Sequence, residues 1–154
     1  MPTTAALPAV TVEECRSEAE IAALYQIMRE ARPNLDEKTY IERTRAAKEC
    51  GYRMFRGIFE RRVVAAMGLR VNADLFWGRH LYLDDLAVVA GLRGRRIGEA
   101  MMRFVETEAR AQGCKHIRVT NGMKGHDAHR FYERIGYERR SFVFVRAVEP
   151  SSSA

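Results

Sequence analysis

The 154-residue chain has few cysteines, few prolines and no long apolar run. Its three cysteines, Cys15, Cys50 and Cys114, are odd in number and widely spaced, so they make neither a disulfide framework nor a zinc pattern. They fit a reducing, cytoplasmic compartment. No run approaches the ~18 apolar residues of a membrane span. The start has no basic region followed by an apolar one, so no signal peptide is expected. Gly 11 and Pro 4 exclude collagen-like and low-complexity chains. Lysine is scarce: 4 of the 26 basic residues are Lys and 22 are Arg.

What is present is a core and a positive charge. Apolar and aromatic residues make up 47% of the chain, enough for one domain of this length. The net charge of +6 welcomes anionic partners but names none. No helix-turn-helix, RRM or zinc-finger pattern appears, so nucleic acid is not expected as a partner, and neither is a membrane.

Residues 1–8 and 148–154 read as loose ends around a domain at 9–147. The first strand is expected near 9–13. A helix is expected over 18–29, with Ile21, Leu24, Tyr25 and Met28 on one face. A second helix is capped by Asp36 and stops near Gly51. Strands follow at 52–59 and 63–71, then a loop over 72–80 carrying Phe76 and Trp77, then a strand at 81–89. A helix over 97–112, a strand at 116–120, a helix over 126–135 and a last strand at 138–146 complete the order β-α-α-β-β-β-α-β-α-β. That order predicts an α/β domain, with a mixed central sheet and about four helices.

The most specific segment is Arg93-Gly-Arg-Arg-Ile-Gly98, a turn between a strand and a helix. A helix N-terminus carries unpaired N–H groups and partial positive charge, and glycines let a phosphate approach them. Arg93, Arg95 and Arg96 add full charges. The spacing of Gly91, Gly94 and Gly98 is wrong for a Rossmann loop, and the Gly-Lys-Ser/Thr of a Walker loop is absent. A pyrophosphate site and a plain solvated turn both remain open from the turn alone.

The segment from Val88 through Arg93-Gly94-Arg95-Arg96-Ile97-Gly98-Glu99 resembles the acyl-CoA loop of the GNAT (Gcn5-related N-acetyltransferase) superfamily, Arg/Gln-x-x-Gly-x-Gly/Ala. Arg96 stands where the family has its first Gly. A side chain there can point outward if the backbone stays helical. A second motif, Ala128-His-Arg-Phe-Tyr132-Glu-Arg-Ile-Gly136-Tyr137, resembles the family's Asn-x-x-Ala-x-x-Phe-Tyr-x-x-x-Gly-Phe, with Gly125 at the Asn position.

The resemblance implies acetyl transfer from acetyl-CoA to an amine, with a small molecule as acceptor. A protein lysine or N-terminal acetyltransferase and a non-catalytic acyl-CoA-binding module are the alternatives. By the match, Tyr132 is the acid that protonates the CoA thiolate, a phenol being protonated at neutral pH. Asp84 and Asp85 interrupt an apolar strand, and alternation predicts that one faces the cleft and the other a polar partner or solvent. The segment resembles the corresponding strand of spermidine/spermine-type acetyltransferases. By that match Asp84 is the base, acting through water, and Asp85 is structural. The family splays two strands at the backbone of Leu86, Ala87 and Val88, where a pantetheine arm can pair. Asn121 and Arg130 are further candidates for the cofactor. Tyr25, Met28, Phe76 and Trp77, with Asp84, are candidates for the acceptor. No metal is expected: His126 and His129 lack a third ligand and read as exposed. Dimers are frequent in the superfamily, and an apolar last strand can pair across an interface.

Overall fold

A computed structural model describes residues 5–152. The chain divides into two compact units, one ending at Val119 and one starting at Thr120.

In the first unit, five strands pair in the order of the chain: β1 (Thr11–Cys15), β2 (Arg53–Phe59), β3 (Arg62–Asp74), β4 (Gly78–Val88) and β5 (His116–Val119). Pairing is antiparallel from β1 to β4 and parallel between β4 and β5, so the sheet is mixed as expected. Central β3 is buried without interruption from Val64 to Leu69, the pattern of a strand covered on both faces. On one face, Cys15, Met54, Ala66 and Ala87 pack with Ile21, Leu24, Ile27, Met28 and Tyr40 of the helices. On the other face lies α4 (Ile97–Ala111), whose buried Ile97, Met101, Met102 and Val105 recur at helical spacing. Phe55 meets Phe104 there with ring centroids 5.1 Å apart.

The expected helix over 18–29 is two helices, α1 (Glu18–Ala23) and α2 (Tyr25–Ala31), joined at Leu24. Ser17 and Glu20 form a capping box at the start of α1. Asp36 caps α3 (Glu37–Glu49), accepting from the Thr39 amide at 2.8 Å, as the sequence indicates. The β2–β3 hairpin turns through Glu60 and Arg61, both at positive φ (49° and 64°). A two-residue loop with that backbone matches the twist of the strands. The expected loop over 72–80 is mostly strand, because β3 and β4 continue to pair as far as Asp74 and Gly78.

The second unit holds α5 (His126–Arg134). Residues 138–146 do not form the expected last strand: no ladder joins them among the described residues, and Phe142, Val143, Phe144 and Val145 are 84%, 62%, 95% and 88% exposed. Apolar, β-branched composition favours a strand only where a neighbouring strand takes up its backbone groups. With the break at Leu24, the about four expected helices are five α-helices among the described residues. Of the expected loose ends, 1–4 and 153–154 lie outside the described residues; 5–8 and 148–152 have no regular structure.

Candidate active site

The acceptor-side candidate is a cavity of about 490 Å³ in the first unit, between α2, α3 and strands β3 and β4. Asp84 and Asp85 both line it. Simple alternation would have sent them to opposite faces, so this corrects the sequence expectation. The reason is a bulge. Gly68 pairs with Asp85 and the next residue, Leu69, pairs with Leu83, which leaves Asp84 without a partner across the ladder. An extra residue in one strand breaks alternation and re-aims the side chains around it.

Each carboxylate is held. Arg70 donates to Asp84 through Nε and Nη2, at 3.0 and 2.9 Å. Arg32 donates from Nε to Asp85 Oδ1 at 3.0 Å and from Nη2 to the Asp84 carbonyl at 3.1 Å. The Tyr52 hydroxyl donates to Asp85 Oδ2 at 2.7 Å. Burial raises the Asp84 carboxyl above its ordinary value, with the Arg70 guanidinium pulling it down. Burial raises the Tyr52 hydroxyl too, and the neighbouring Asp85 carboxylate adds to it, so Tyr52 remains a proton donor.

Gly68 makes room for this arrangement. A Cβ built there would sit 1.8 Å from Tyr52 Oη and 2.2 Å from its Cζ. The strand carries glycine because the tyrosine ring lies against its backbone. Tyr52, Arg70 and Arg32 went unrecognised in the sequence. A glycine inside an apolar strand, opposite a pair of acids, was the available signal.

Among the acceptor candidates, Met28 lines the cavity. Tyr25 does not: its hydroxyl donates to the Leu35 carbonyl at 2.8 Å and its ring packs on Tyr40 at 5.4 Å. Phe76 and Trp77 sit in the β3–β4 turn and do not line the cavity either. Seven residue steps along the strand separate Trp77 from Asp84, roughly 23 Å at ~3.3 Å per residue. Trp77 instead packs edge-on against His116 and beneath the Arg118 guanidinium.

The cofactor-side candidate begins where β4 outruns β5. The parallel pairing covers His80 to Leu83 only. Leu86, Ala87 and Val88 pair with β3 on one side and have no β5 partner on the other. The chain then makes a single 3₁₀ turn (Ala90–Leu92) and enters α4.

Arg96 is the N-cap residue of α4 in left-handed backbone (φ 61°), and Gly94 is left-handed as well (φ 82°). The backbone at Arg96 therefore does not stay in the right-handed helix, the condition under which the sequence reading let its side chain point outward. The family's glycine is explained by this conformation, which costs a non-glycine residue about 1–2 kcal/mol. The arginine side chain turns away to clasp Glu99 through two bonds of 2.9 Å, and it also donates to the Ala5 carbonyl. No side chain caps the helix, so its first-turn donors are not taken by a cap. Left-handed residues ahead of an uncapped helix form a concave, amide-lined anion site. Arg93 pairs with Glu30 at 3.3 Å, and Arg95 lies 5.6 Å from the Phe59 ring centre. The cradle at Arg93, Gly94, Arg95, Arg96, Ile97, Gly98 and Glu99 fits a pyrophosphate in backbone shape and in charge.

In the second unit, Tyr132 is buried on α5 between Phe131 and Tyr137, with ring centroids 5.0 and 5.6 Å away. Burial raises its hydroxyl above the ordinary value, which keeps the proton on it. Arg130 pairs with Asp127. Asn121 lies in the irregular segment before α5. His129 is half-buried, not exposed as expected, because its Nε2 meets the Gly122 carbonyl at 2.8 Å. No group of His, Cys, Asp and Glu able to hold a metal occurs among the described residues. No helix among them is long and apolar enough to cross a membrane.

Residues 21–137 match the family model of the Acetyltransferase (GNAT) family. The chain belongs to this family. An uncharacterised N-acetyltransferase of Bacillus subtilis (strain 168) is 28% identical over 141 residues, covering 90% of this chain and 99% of that one. An aminoalkylphosphonate N-acetyltransferase of Salmonella typhimurium is 36% identical over 66 residues, 43% of each chain. The fold is shared with a solved aminoglycoside N-acetyltransferase in complex with CoA, at TM-score 0.77, 9% identity and coverage of 94% and 99%. The GNAT assignment and the names of these relatives support an acetyltransferase.

Proposed function

We propose that the protein moves an acetyl group from acetyl-CoA directly to the amine of a small molecule. The observation that carries this reading is the bulged Asp84, half-buried, raised in pKa and lining a cavity at the point where β4 leaves β5. A flat, open groove would suit a protein segment better than a cavity of about 490 Å³ does.

Bound acetyl-CoA supplies the thioester whose carbonyl carbon is attacked. The α4 first turn, with Arg93 and Arg95, holds the pyrophosphate; the open edge at Leu86, Ala87 and Val88 takes the pantetheine arm. Asp84 accepts the proton of the acceptor ammonium through a water, because a free amine attacks and an ammonium cannot. Burial strengthens Asp84 as a base, while Arg70 fixes its orientation and keeps part of its charge stable. As the new C–N bond forms, the C–S bond breaks and the nitrogen gives up its second proton to solvent. Tyr132 Oη gives its proton to the departing sulfur and regains one from solvent. A reducing cytoplasm suits the three free thiols. A homodimer with the exposed apolar run 142–145 in its contact belongs to the same reading.

The test is thiol release from acetyl-CoA against a panel of amines, with wild type and Tyr132→Phe. Turnover with a small amine, reduced roughly 10²-fold or more in the variant, is the expected result. Full rate in Tyr132→Phe contradicts the proton-donor role. Tight acetyl-CoA binding without turnover on any amine contradicts the small-molecule reading.

A further inference from the structure

The charges lining the cavity do not balance. Arg32, Arg43 and Arg70 face Asp84 and Asp85. Two of the arginines are used by the two carboxylates, Arg70 on Asp84 and Arg32 on Asp85. Arg43 is left over, with no ion pair or hydrogen bond among the described residues. Its placement follows from α3: Tyr40, Arg43, Thr44 and Ala47 all line the cavity, at i, i+3, i+4 and i+7 of one helix face.

A guanidinium without a counter-ion at the wall of a binding cavity favours an anion there, and its fork suits a carboxylate or phosphonate. The same charge disfavours a polycation, since the two acids among the described lining residues are already paired with Arg70 and Arg32. We infer that the acceptor is a small amine that also carries a terminal oxyanion, read by Arg43, rather than a polyamine or aminoglycoside. This inference rests on the proposed acetyl transfer at the same cavity, and it adds the acceptor's charge class. Carboxylate and phosphonate are the two sources of that oxyanion.

The experiment compares 2-aminoethylphosphonate, β-alanine, ethanolamine and spermidine as acceptors, by kcat/KM and by direct titration into the protein. The proteins are wild type, Arg43→Gln, Arg43→Lys and Arg45→Gln. Arg45 lies on the same helix, pairs with Glu18 and does not line the cavity, so its variant controls for overall charge. Wild type is expected to prefer an oxyanion acceptor over ethanolamine and spermidine by at least about tenfold. In Arg43→Gln that preference shrinks about tenfold, mainly through KM. It is partly restored in Arg43→Lys and retained in Arg45→Gln. The ratio of phosphonate to carboxylate names the oxyanion.

Equal use of neutral and anionic acceptors, or spermidine as the best one, overturns the inference while leaving acetyl transfer standing. Absence of turnover on every acceptor contradicts the proposed reaction instead. Titration then still decides the charge class. Oxyanion-selective binding lost in Arg43→Gln upholds it, and unselective binding overturns it.

Discussion

The two ends of the working face of β4 are built from different materials. At the Asp84–Asp85 bulge the site is made of side chains, held by guanidiniums and a phenol from the end of α2, from β3 and from the residue before β2. At the α4 N-terminus it is made of backbone, with left-handed residues at Gly94 and Arg96 leading into an uncapped helix. A backbone site is tuned to what every member of a family binds. A side-chain site is free to differ, and this is where one acetyltransferase differs from another in its acceptor. The acceptor end therefore depends on particular residues, whereas the cofactor end depends on φ and ψ.

Substituting Gly68 separates the two ends most sharply. In Gly68→Ala the new methyl collides with the Tyr52 ring, so the ring must leave Asp85 or the strand must shift. Overpacking of this kind costs roughly 1–3 kcal/mol. At about 2–4 °C per kcal/mol for a chain of this size, the melting temperature falls by several degrees. Acceptor kcat/KM falls tenfold or more, while titration of acetyl-CoA shows little change. A loss of acetyl-CoA affinity as large as the loss in acceptor use would break the comparison.

The acidic limb of the pH–rate profile sharpens it further. Asp84 must be ionised to act as base, so rate is lost as pH falls through its pKa. Burial raises that pKa and Arg70 lowers it. Arg70→Gln removes the lowering influence, so the limb moves to higher pH and activity at mildly acidic pH drops severalfold more than at alkaline pH. A pH profile that moves down, or does not move, contradicts the role given to Arg70.

The smallest effect is expected at the cofactor end. Arg96→Gly relieves the left-handed strain, but glycine also frees the unfolded chain, and the two changes largely offset. The acetyl-CoA dissociation constant shifts by no more than about threefold. A tenfold loss would mean that the Arg96 side chain, rather than the backbone beneath it, holds the phosphate.

These contrasts also explain what the sequence revealed. The helix cap at Asp36 and the amphipathic face of α4 are local patterns, and they read correctly. The turn at 93–98 was legible because glycine marks left-handed backbone, although Arg96 hid one such position. The bulge at Asp84 was not legible, because it arises from register between β3 and β4. Arg32, Arg70 and Tyr52 join Asp84 and Asp85 from 14 to 53 residues away in the chain, so no local pattern connects them. The missing strand at 138–146 has a plain cause: propensity names a preferred conformation, and a neighbouring strand decides whether it forms.

The most direct measurement pairs kcat with acetyl-CoA affinity in Asp84→Asn. The account predicts an unchanged acetyl-CoA dissociation constant and a kcat reduced by about 10²-fold or more. A variant that keeps full kcat, or that loses acetyl-CoA binding in step with its rate, would contradict it.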